Sequence, residues 1–219
     1  MSIPKDEFIA PACHEKIEIL YEDSFILVIN KPSGLLSLSG KHPLNKDSVH
    51  YRLVQDYPTA LMVHRLDFGT SGVMVIALSK DMVKKLNHQF SERQVTKTYQ
   101  ALLVGILEAD EGEITAPIAK GDFPYQVICH KTGKSAKTHY QVLSRDVASR
   151  TTRVEFTPHT GRTHQLRVHS AFIGSPIVGC DLYGGNRTLS SRMMLHAQSL
   201  EFEHPMTGKG MVIHSLCPF

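Results

Sequence analysis

Residues 64–78 read His-Arg-Leu-Asp-Phe-Gly-Thr-Ser-Gly-Val-Met-Val-Ile-Ala-Leu. The last six residues form an unbroken apolar run rich in β-branched side chains, which is typical of a buried strand. Arg65 and Asp67 come just before it, and a charged pair at the entrance to a core strand is costly unless it faces a cleft or a partner. Alternatively, Asp67 only caps the turn of residues 69–71, as aspartate often does. Residues 64–72 alone leave both interpretations open.

The composition is that of an ordinary globular protein, with 42% hydrophobic and 21% charged residues in a chain of 219. This length fits one large domain or two small ones. No apolar stretch approaches the length of a membrane span, and residues 1–16 lack the pattern of a signal peptide. The four cysteines are scattered, which is typical of a reducing compartment rather than of a disulfide framework. Together these features predict a cytoplasmic protein.

Charge is distributed unevenly along the chain. Residues 1–30 carry two Lys or Arg side chains against six Asp or Glu, whereas residues 118–169 carry nine against three. A local cationic excess of this kind suits an anionic partner such as nucleic acid. The alternative is a solvated basic face without a partner, and charge alone does not distinguish the two.

Periodicity and turn signals predict one α+β domain with a mixed, mostly antiparallel sheet flanked by helices and loops. Residues 1–16 are expected to form a loosely ordered arm, and the domain is expected to span residues 17–219. The basic segments 37–47 and 118–136 are rich in turn-forming residues and are expected to be loops, the first of them mobile. The predicted strands are residues 17–21, 25–29, 73–78, 98–104, 138–143 and 153–157 with a hairpin over 200–213. The predicted helices begin at Ser48, at Ser79, which is the expected N-cap of its helix, and after the turn at 160–163.

Thirteen histidines raise the question of a metal site. His164 and His169 are five residues apart, which does not place both on one helix face as an i, i+4 pair would. The sequence contains no Walker loop, no dinucleotide-binding glycine fingerprint and no Gly-x-Ser-x-Gly elbow. We therefore expect no metal and no cofactor, and redox, nucleotide-driven and serine-hydrolase chemistry lose support.

Three pairs of polar residues lie at predicted element boundaries: Arg65 with Asp67, Lys97 with Tyr99, and Arg162 with Arg167. If they met, they would offer a carboxylate, a guanidinium that stabilises its ionised form, and an aromatic face with a polar tip. Such convergence cannot be derived from spacing along the chain.

The same residues belong to four blocks that resemble the motifs of the RluA-type family of RNA pseudouridine synthases. These blocks follow the family's order over roughly residues 17–215: Asn30-Lys31-Pro32-Ser33-Gly34-Leu35, then His64-Arg65-Leu66-Asp67 with Thr70-Ser71-Gly72, then Lys97-Thr98-Tyr99, and Gly161-Arg162-Thr163-His164-Gln165-Leu166-Arg167-Val168-His169. Sixteen residues before the first strand cannot hold the S4 domain of many relatives, so the resemblance is to the short, single-domain branch.

The resemblance implies residue roles as well as an activity. It implies a catalytic carboxylate at Asp67, an active-site tyrosine at Tyr99 and a guanidinium at Arg167 that pairs with Asp67. Arg65 would fill the gap left in the RNA stack by an everted uridine, because a base inside a stack cannot be reached. Further RNA contacts are implied for four residues of the blocks, namely Lys31, His64, Arg162 and His164. The expected substrate is structured RNA, either large-subunit ribosomal RNA, transfer RNA or both, and the expected state is a monomer.

Two other functions remain open. A catalytically silent RNA-binding or chaperone module could use the same cleft, although the intact set of Asp67, Tyr99 and Arg167 disfavours it. A glycosidase or nucleosidase acting on free nucleosides would ordinarily need a second carboxylate near the first. No acidic residue lies between Asp67 and Asp81.

Overall fold

A computed structural model describes residues 8–184 and 189–219. The described residues form three α-helices, twelve strands and one 3₁₀ turn at Pro43–Asn45. The helices are α1 (Val49–Asp56), α2 (Lys80–Ser91) and α3 (Gln165–Phe172). The strands are β1 (Glu18–Glu22), β2 (Ile26–Lys31), β3 (Leu61–Met62), β4 (Ser71–Ala77), β5 (Thr96–Val104), β6 (Glu111–Thr115), β7 (Ile118–Lys120), β8 (Gln126–Ile128), β9 (Lys137–Asp146), β10 (Thr151–Pro158), β11 (Leu195–Glu203) and β12 (Gly210–His214).

Among the described residues, the first of two compact units comprises residues 8–97 together with Ala197–Pro218. In this unit β2 lies between β1 and β4, with both pairings antiparallel, and β12 pairs with β11. All seven residues of β4 are buried, as expected for the apolar run of residues 73–78.

Helix α2 completes the core of this unit. The Ser79 hydroxyl accepts the N–H of Met82, so the predicted N-cap is confirmed. Near the end of α2, the amide of Gln89 donates to the carbonyl of Glu203 and accepts the N–H of the same residue, both at 2.9 Å. These two bonds fix α2 against β11. The core side chains include Ile26, Val28, Val75, Leu86 and Phe202.

The second unit comprises Thr98–His196 and Phe219. Its strands follow the order β5-β10-β9-β6, and each pairing is antiparallel. The predicted neighbours 138–143 and 153–157 lie in β9 and β10, where Phe156 is opposite Tyr140. The core of this unit is formed by α3 and the sheet through side chains that include Leu103, Val154, Phe156, Leu166 and Ile177.

Four short strands, β3, β6, β7 and β8, were not predicted from the sequence. β3 has only two residues, Leu61 and Met62. β6 lies in a segment with a single buried apolar residue, Ile114, so it has no period-2 pattern. β7 and β8 have three residues each and form a hairpin within the basic segment 118–136, which is therefore not loop throughout. Strands this short carry too few residues for a periodicity signal.

The segment 37–47, predicted as a mobile loop, contains the 3₁₀ turn at Pro43–Asn45. Residues 8–17 contain neither helix nor strand, and residues 1–7 of the predicted arm lie outside the described residues. A loosely ordered arm and domain bounds of 17–219 therefore stay predictions.

The predicted fold class is confirmed: the chain is α+β, with mixed, mostly antiparallel strand pairing among the described residues. Among the helices of the described residues, none is both long and apolar enough to cross a membrane.

Candidate active site

Asp67 lies in the loop between β3 and β4, three residues after His64 and four before the buried strand begins. The side chain of Asp67 is half-buried. Its carbonyl accepts the N–H of Thr70 at 3.0 Å, which closes a tight turn through Phe68 and Gly69. The turn predicted for residues 69–71 therefore lies two residues earlier: it spans residues 67–70 with Asp67 at its first position, and Ser71 already belongs to β4.

The segment after β2 holds this turn through the main chain. The ammonium group of Lys31 donates to the carbonyl of Phe68 at 3.2 Å and to the carbonyl of Pro32 at 2.8 Å. The N–H of Gly34 donates to the same Phe68 carbonyl at 2.9 Å, and the Ser33 hydroxyl donates to the carbonyl of Gly69 at 2.7 Å. The motif block of residues 30–35 is therefore the support of the turn that follows Asp67.

The other side of Asp67 is held by Ser37. Its hydroxyl donates to the carbonyl of Leu66 at 2.7 Å and accepts the N–H of the same residue at 3.2 Å. Ser37 is 6% exposed and Leu66 is 7% exposed, so these bonds are shielded from water. The main chain on both sides of Asp67 is thus fixed by partners from residues 31–37. Motif spacing did not point to Ser37, because its contact depends on how the two loops fold onto each other.

Lys31 lies at the end of β2, as predicted, and has no exposed surface. A side chain in this environment does not reach an RNA phosphate in this conformation. Its bonds to two carbonyls favour a positioning role over the RNA contact implied by the resemblance.

His64 is also held inside its unit. The imidazole Nε2 accepts the N–H of Val75 in β4 at 3.0 Å, and the ring stacks on Phe90 of α2 with centroids 4.9 Å apart. Burial, with a smaller effect of the nearby charge of Lys97, lowers the pKa of His64 to about 3. The ring is therefore neutral at pH 7, with its proton on Nδ1 because Nε2 accepts a bond. This geometry favours a role in fixing the start of the loop, whereas the neighbouring Arg65 is exposed.

Tyr99 and Arg167 belong to the second unit. Tyr99 lies in β5 opposite Phe156 and packs against the core of that unit. Arg167 is 5% exposed and donates to the carboxylate of Asp181 at 2.5 Å and to the sulfur of Cys180 at 3.4 Å. Asp181 was not singled out from the sequence. The predicted approach of both residues to Asp67, which belongs to the other unit, stays a prediction.

The block of residues 161–169 is organised by a buried amide at Gln165. The Gln165 Oε1 accepts the Thr160 hydroxyl at 2.7 Å and the N–H of Arg162 at 3.0 Å. Its Nε2 donates to the Thr138 hydroxyl at 2.9 Å, and His169 Nδ1 lies 2.9 Å from the same hydroxyl. This chain of bonds ties the start of α3 to β9.

His169 is fully buried, and its Nε2 lies 3.0 Å from the carbonyl of Ala116. Burial lowers the pKa of His169, and the bond to Ala116 offsets part of that shift. The neutral ring donates from Nε2 to Ala116 and accepts the Thr138 hydroxyl at Nδ1. His169 is a structural member of its block.

His164 is the N-cap residue of α3, with a left-handed φ of 56° and no side-chain cap bond. The His164 Nδ1 lies 2.8 Å from the hydroxyl of Tyr183. The same hydroxyl accepts the N–H of Gln126 at 2.8 Å. The Tyr183 ring also lies beneath the guanidinium of Arg167, at 5.3 Å. Tyr183 thus links two residues of the block, although nothing in its sequence context indicated this. Arg162 is half-buried, and its Nε donates to the carbonyl of Ser135 at 3.0 Å.

The family comparison covers most of the chain. A family model described as RNA pseudouridylate synthase matches residues 25–172, a range that includes all four motif blocks.

Curated relatives match nearly from end to end. A protein of Yersinia pestis named dual-specificity RNA pseudouridine synthase RluA is 50% identical over 197 residues, which are 88% of this chain and 95% of the relative. The protein of the same name from Escherichia coli strain K12 is 43% identical over 205 residues, which are 92% and 93% of the two chains.

Solved structures agree with this family. The structure titled human RNA pseudouridylate synthase domain containing 1 has a TM-score of 0.81 and 31% identity, covering 95% of this chain and 86% of that one. The structure titled human RNA pseudouridylate synthase domain containing 4 has a TM-score of 0.72 and 28% identity, covering 92% and 88%. The resemblance seen in the motif blocks is thereby confirmed, and the chain belongs to the RNA pseudouridylate synthase family as an isomerase of the RluA type.

Proposed function

We propose that this pseudouridine synthase modifies specific uridines in large-subunit ribosomal RNA, in transfer RNA or in both, and that it does so in the cytoplasm. The observation that carries the proposal is the near full-length identity of 50% and 43% to two proteins named dual-specificity RNA pseudouridine synthases.

The reaction itself sets what the site must provide. The bond between N1 of uracil and C1′ of the ribose breaks, the uracil turns, and a new bond joins C1′ to C5. N1 ends with a proton and C5 loses one, so no oxidant, reductant or cofactor is consumed. We assign the carboxylate that initiates this rearrangement to Asp67. In support, the main chain on both sides of Asp67 is hydrogen-bonded to residues 31–37, which limits the directions that its side chain can take.

We assign two further catalytic groups to the second unit. Tyr99 would stack on the everted uracil and assist removal of the C5 proton through its hydroxyl. Arg167 would stabilise the ionised form of the Asp67 carboxylate. The bonds of Arg167 to Asp181 and Cys180 support this assignment, because they hold its guanidinium in one orientation.

Base eversion costs a few kcal/mol of stacking. We assign the side chain that fills the resulting gap to Arg65, which is exposed and follows the anchored His64 directly. RNA contacts are proposed for Arg162 and His164 at the start of α3. For Lys31 and His64 we propose positioning of the Asp67 loop instead.

Mapping pseudouridines in total RNA from cells that lack this protein tests the substrate assignment. We expect sites to vanish from ribosomal RNA, transfer RNA or both, and to return when the wild-type gene is restored. Loss of no site from either RNA would contradict the proposal. RNA binding without isomerisation would indicate a silent binding module, and release of free uracil would indicate a nucleosidase.

A further inference from the structure

Residues 8–15, here called the N-terminal strap, run beside the Asp67 loop. The ring of Phe8 meets the ring of Phe68 edge to face, with centroids 5.6 Å apart and planes at 80°. Phe68 follows Asp67 directly, and its carbonyl is the one that Lys31 and Gly34 hold. The strap therefore contacts the side chain of a residue whose main chain is already anchored.

A buried amide attaches the strap near Phe8. Asn45, 7% exposed, donates from Nδ2 to the carbonyl of Phe8 at 2.6 Å and accepts the N–H of Ala10 at 2.8 Å. One side chain thus satisfies two main-chain groups of the strap, as a neighbouring strand would. The side chain of Asn45 fits in the loop of residues 37–47 because residue 40 is a glycine. A Cβ at Gly40 would lie only 2.9 Å from the Cβ of Asn45.

A second attachment lies further along the strap. The guanidinium of Arg52 donates to the carbonyl of Glu15 at 2.6 Å and to the carbonyl of Cys13. The same group is oriented by the carboxylate of Asp47, through two bonds of 2.7 Å each. Polar side chains thus bind four main-chain groups of a segment that has no helix or strand. A tail without a role needs no such attachments.

We propose that the strap is a positioning element of the active site, in which Phe8, attached by Asn45, restrains Phe68 and so keeps the Asp67 loop in its reactive conformation. The proposal rests on the catalytic role assigned to Asp67. Phe8 is 40% exposed, so its ring contributes little to the core, and its aromatic contact is of the size that shifts a local conformational equilibrium about two- to tenfold.

The first test compares Phe8→Ala and Asn45→Ala with the wild type in pseudouridine formation on an RNA substrate. We expect kcat to fall about two- to tenfold, as for a misoriented catalytic group, while KM and the Kd for RNA stay unchanged. Phe8→Tyr keeps the ring and should restore kcat. Phe172→Ala removes another partly exposed phenylalanine, 53% exposed, and should behave as wild type.

A second readout does not depend on activity. The N–H of Gly34 is bonded to the carbonyl of Phe68 and that of Thr70 to the carbonyl of Asp67, so amide exchange at these two residues reports on the loop. Phe8→Ala and Asn45→Ala should speed exchange at both positions and leave Val75 in β4 protected. Because Phe8 is partly exposed, Phe8→Ala is expected to fold even if Asn45→Ala does not.

Unchanged kcat, or a fall in kcat without faster exchange at Gly34 and Thr70, would overturn the proposal. A weaker Kd for RNA with kcat retained would overturn it too, since the strap would then be an RNA contact. Asp67→Asn in the same assay separates this result from the assignment of the catalytic carboxylate. If Asp67→Asn remains active, that assignment fails, whereas the exchange data still report whether the strap restrains the loop.

Discussion

Two histidines of the motif blocks, His64 and His169, are held neutral by burial, which lowers the pKa of each. In an unfolded chain a histidine takes up a proton below a pH of about 6.5. Folded protein therefore binds fewer protons than unfolded protein as the pH falls below that value. Both residues stabilise the fold fully above pH 6.5, and this contribution is lost as the pH falls towards about 3, the folded pKa of His64.

His64→Gln tests this linkage, since a glutamine oxygen can still accept the N–H of Val75 but does not titrate. Between pH 7 and pH 5, the wild type should lose about 1–2 kcal/mol more of its free energy of unfolding than His64→Gln. Urea unfolding at the two pH values measures the difference. The exposed His214 on β12 supplies the control His214→Gln, which should follow the wild type. Equal pH dependence of wild type and His64→Gln would show that folding does not lower the pKa of His64.

At the residue scale, resemblance to motif blocks predicted site positions without describing their contacts. His64 was predicted to bind RNA, yet its Nε2 is bonded to the main chain of β4. Lys31 was likewise predicted to contact RNA. Its side chain is instead buried and bonded to the carbonyl of Phe68 in the Asp67 loop. Such contacts depend on strand register and loop closure, which periodicity does not encode.

At the scale of elements, β4 requires glycine at its second residue. Gly72 has a φ of 118°, and a Cβ added there would overlap the main chain of Ala197 in β11. The close approach of these two strands therefore depends on the missing side chain. Since β4 follows the Asp67 loop directly, the position of β4 also determines where that loop ends.

Gly72→Ala should lower the free energy of unfolding by at least about 2 kcal/mol, because both the backbone conformation and the contact with Ala197 become unfavourable. Gly208→Ala is the matched control: Gly208 has a φ of 69°, but an added Cβ meets no atom within 4 Å. Gly208→Ala should lower the free energy of unfolding only through backbone strain, by roughly 1 kcal/mol. Chemical unfolding of both variants measures the difference, and equal losses would rule out a steric role for Ala197.

Long elements with a clear pattern were predictable, and short ones were not. β4 and α2 have continuous or periodic apolar residues, and the predicted cap at Ser79 is present. β7 and β8, with three residues each, are stabilised by pairing with each other rather than by a pattern of their own. The turn before α3 was expected, but the left-handed conformation of His164 was not, because non-glycine residues seldom adopt it.

At the scale of the whole molecule, the excess of basic residues between 118 and 169 suits the family's RNA substrates. Lys120, Lys131 and Lys134 in this segment are exposed. Neutralising RNA phosphates releases counterions, so binding weakens as salt is added.

Lys134→Gln should reduce the slope of log Kd for RNA against log salt concentration by roughly 0.7–0.9, the value for one phosphate contact. Lys84→Gln on α2 is the control, since Lys84 is 80% exposed and lies 3.7 Å from Asp81. Binding measured at several salt concentrations gives both slopes. A wild-type slope for Lys134→Gln would exclude this lysine from the RNA interface.

The fold class and the uneven distribution of charge were predictable from composition and hydrophobic pattern. Which residues distant in the sequence act together was not. Asp67 and Arg167 are a hundred residues apart in the sequence, and only the ordered motif blocks suggested that they act together. The strap and its anchor at Asn45 had no sequence signal, because an amide that bonds a segment 35 residues away leaves no periodic trace.

Pseudouridine formation by Asp67→Asn tests the central claim most directly, namely that the Asp67 carboxylate initiates the isomerisation. The comparison is with Asp81→Asn, which alters a 79% exposed carboxylate on α2. On an RNA that the wild type modifies, Asp67→Asn should lose about 10³-fold or more in rate while still binding the RNA, and Asp81→Asn should match the wild type. Full activity of Asp67→Asn would contradict the claim.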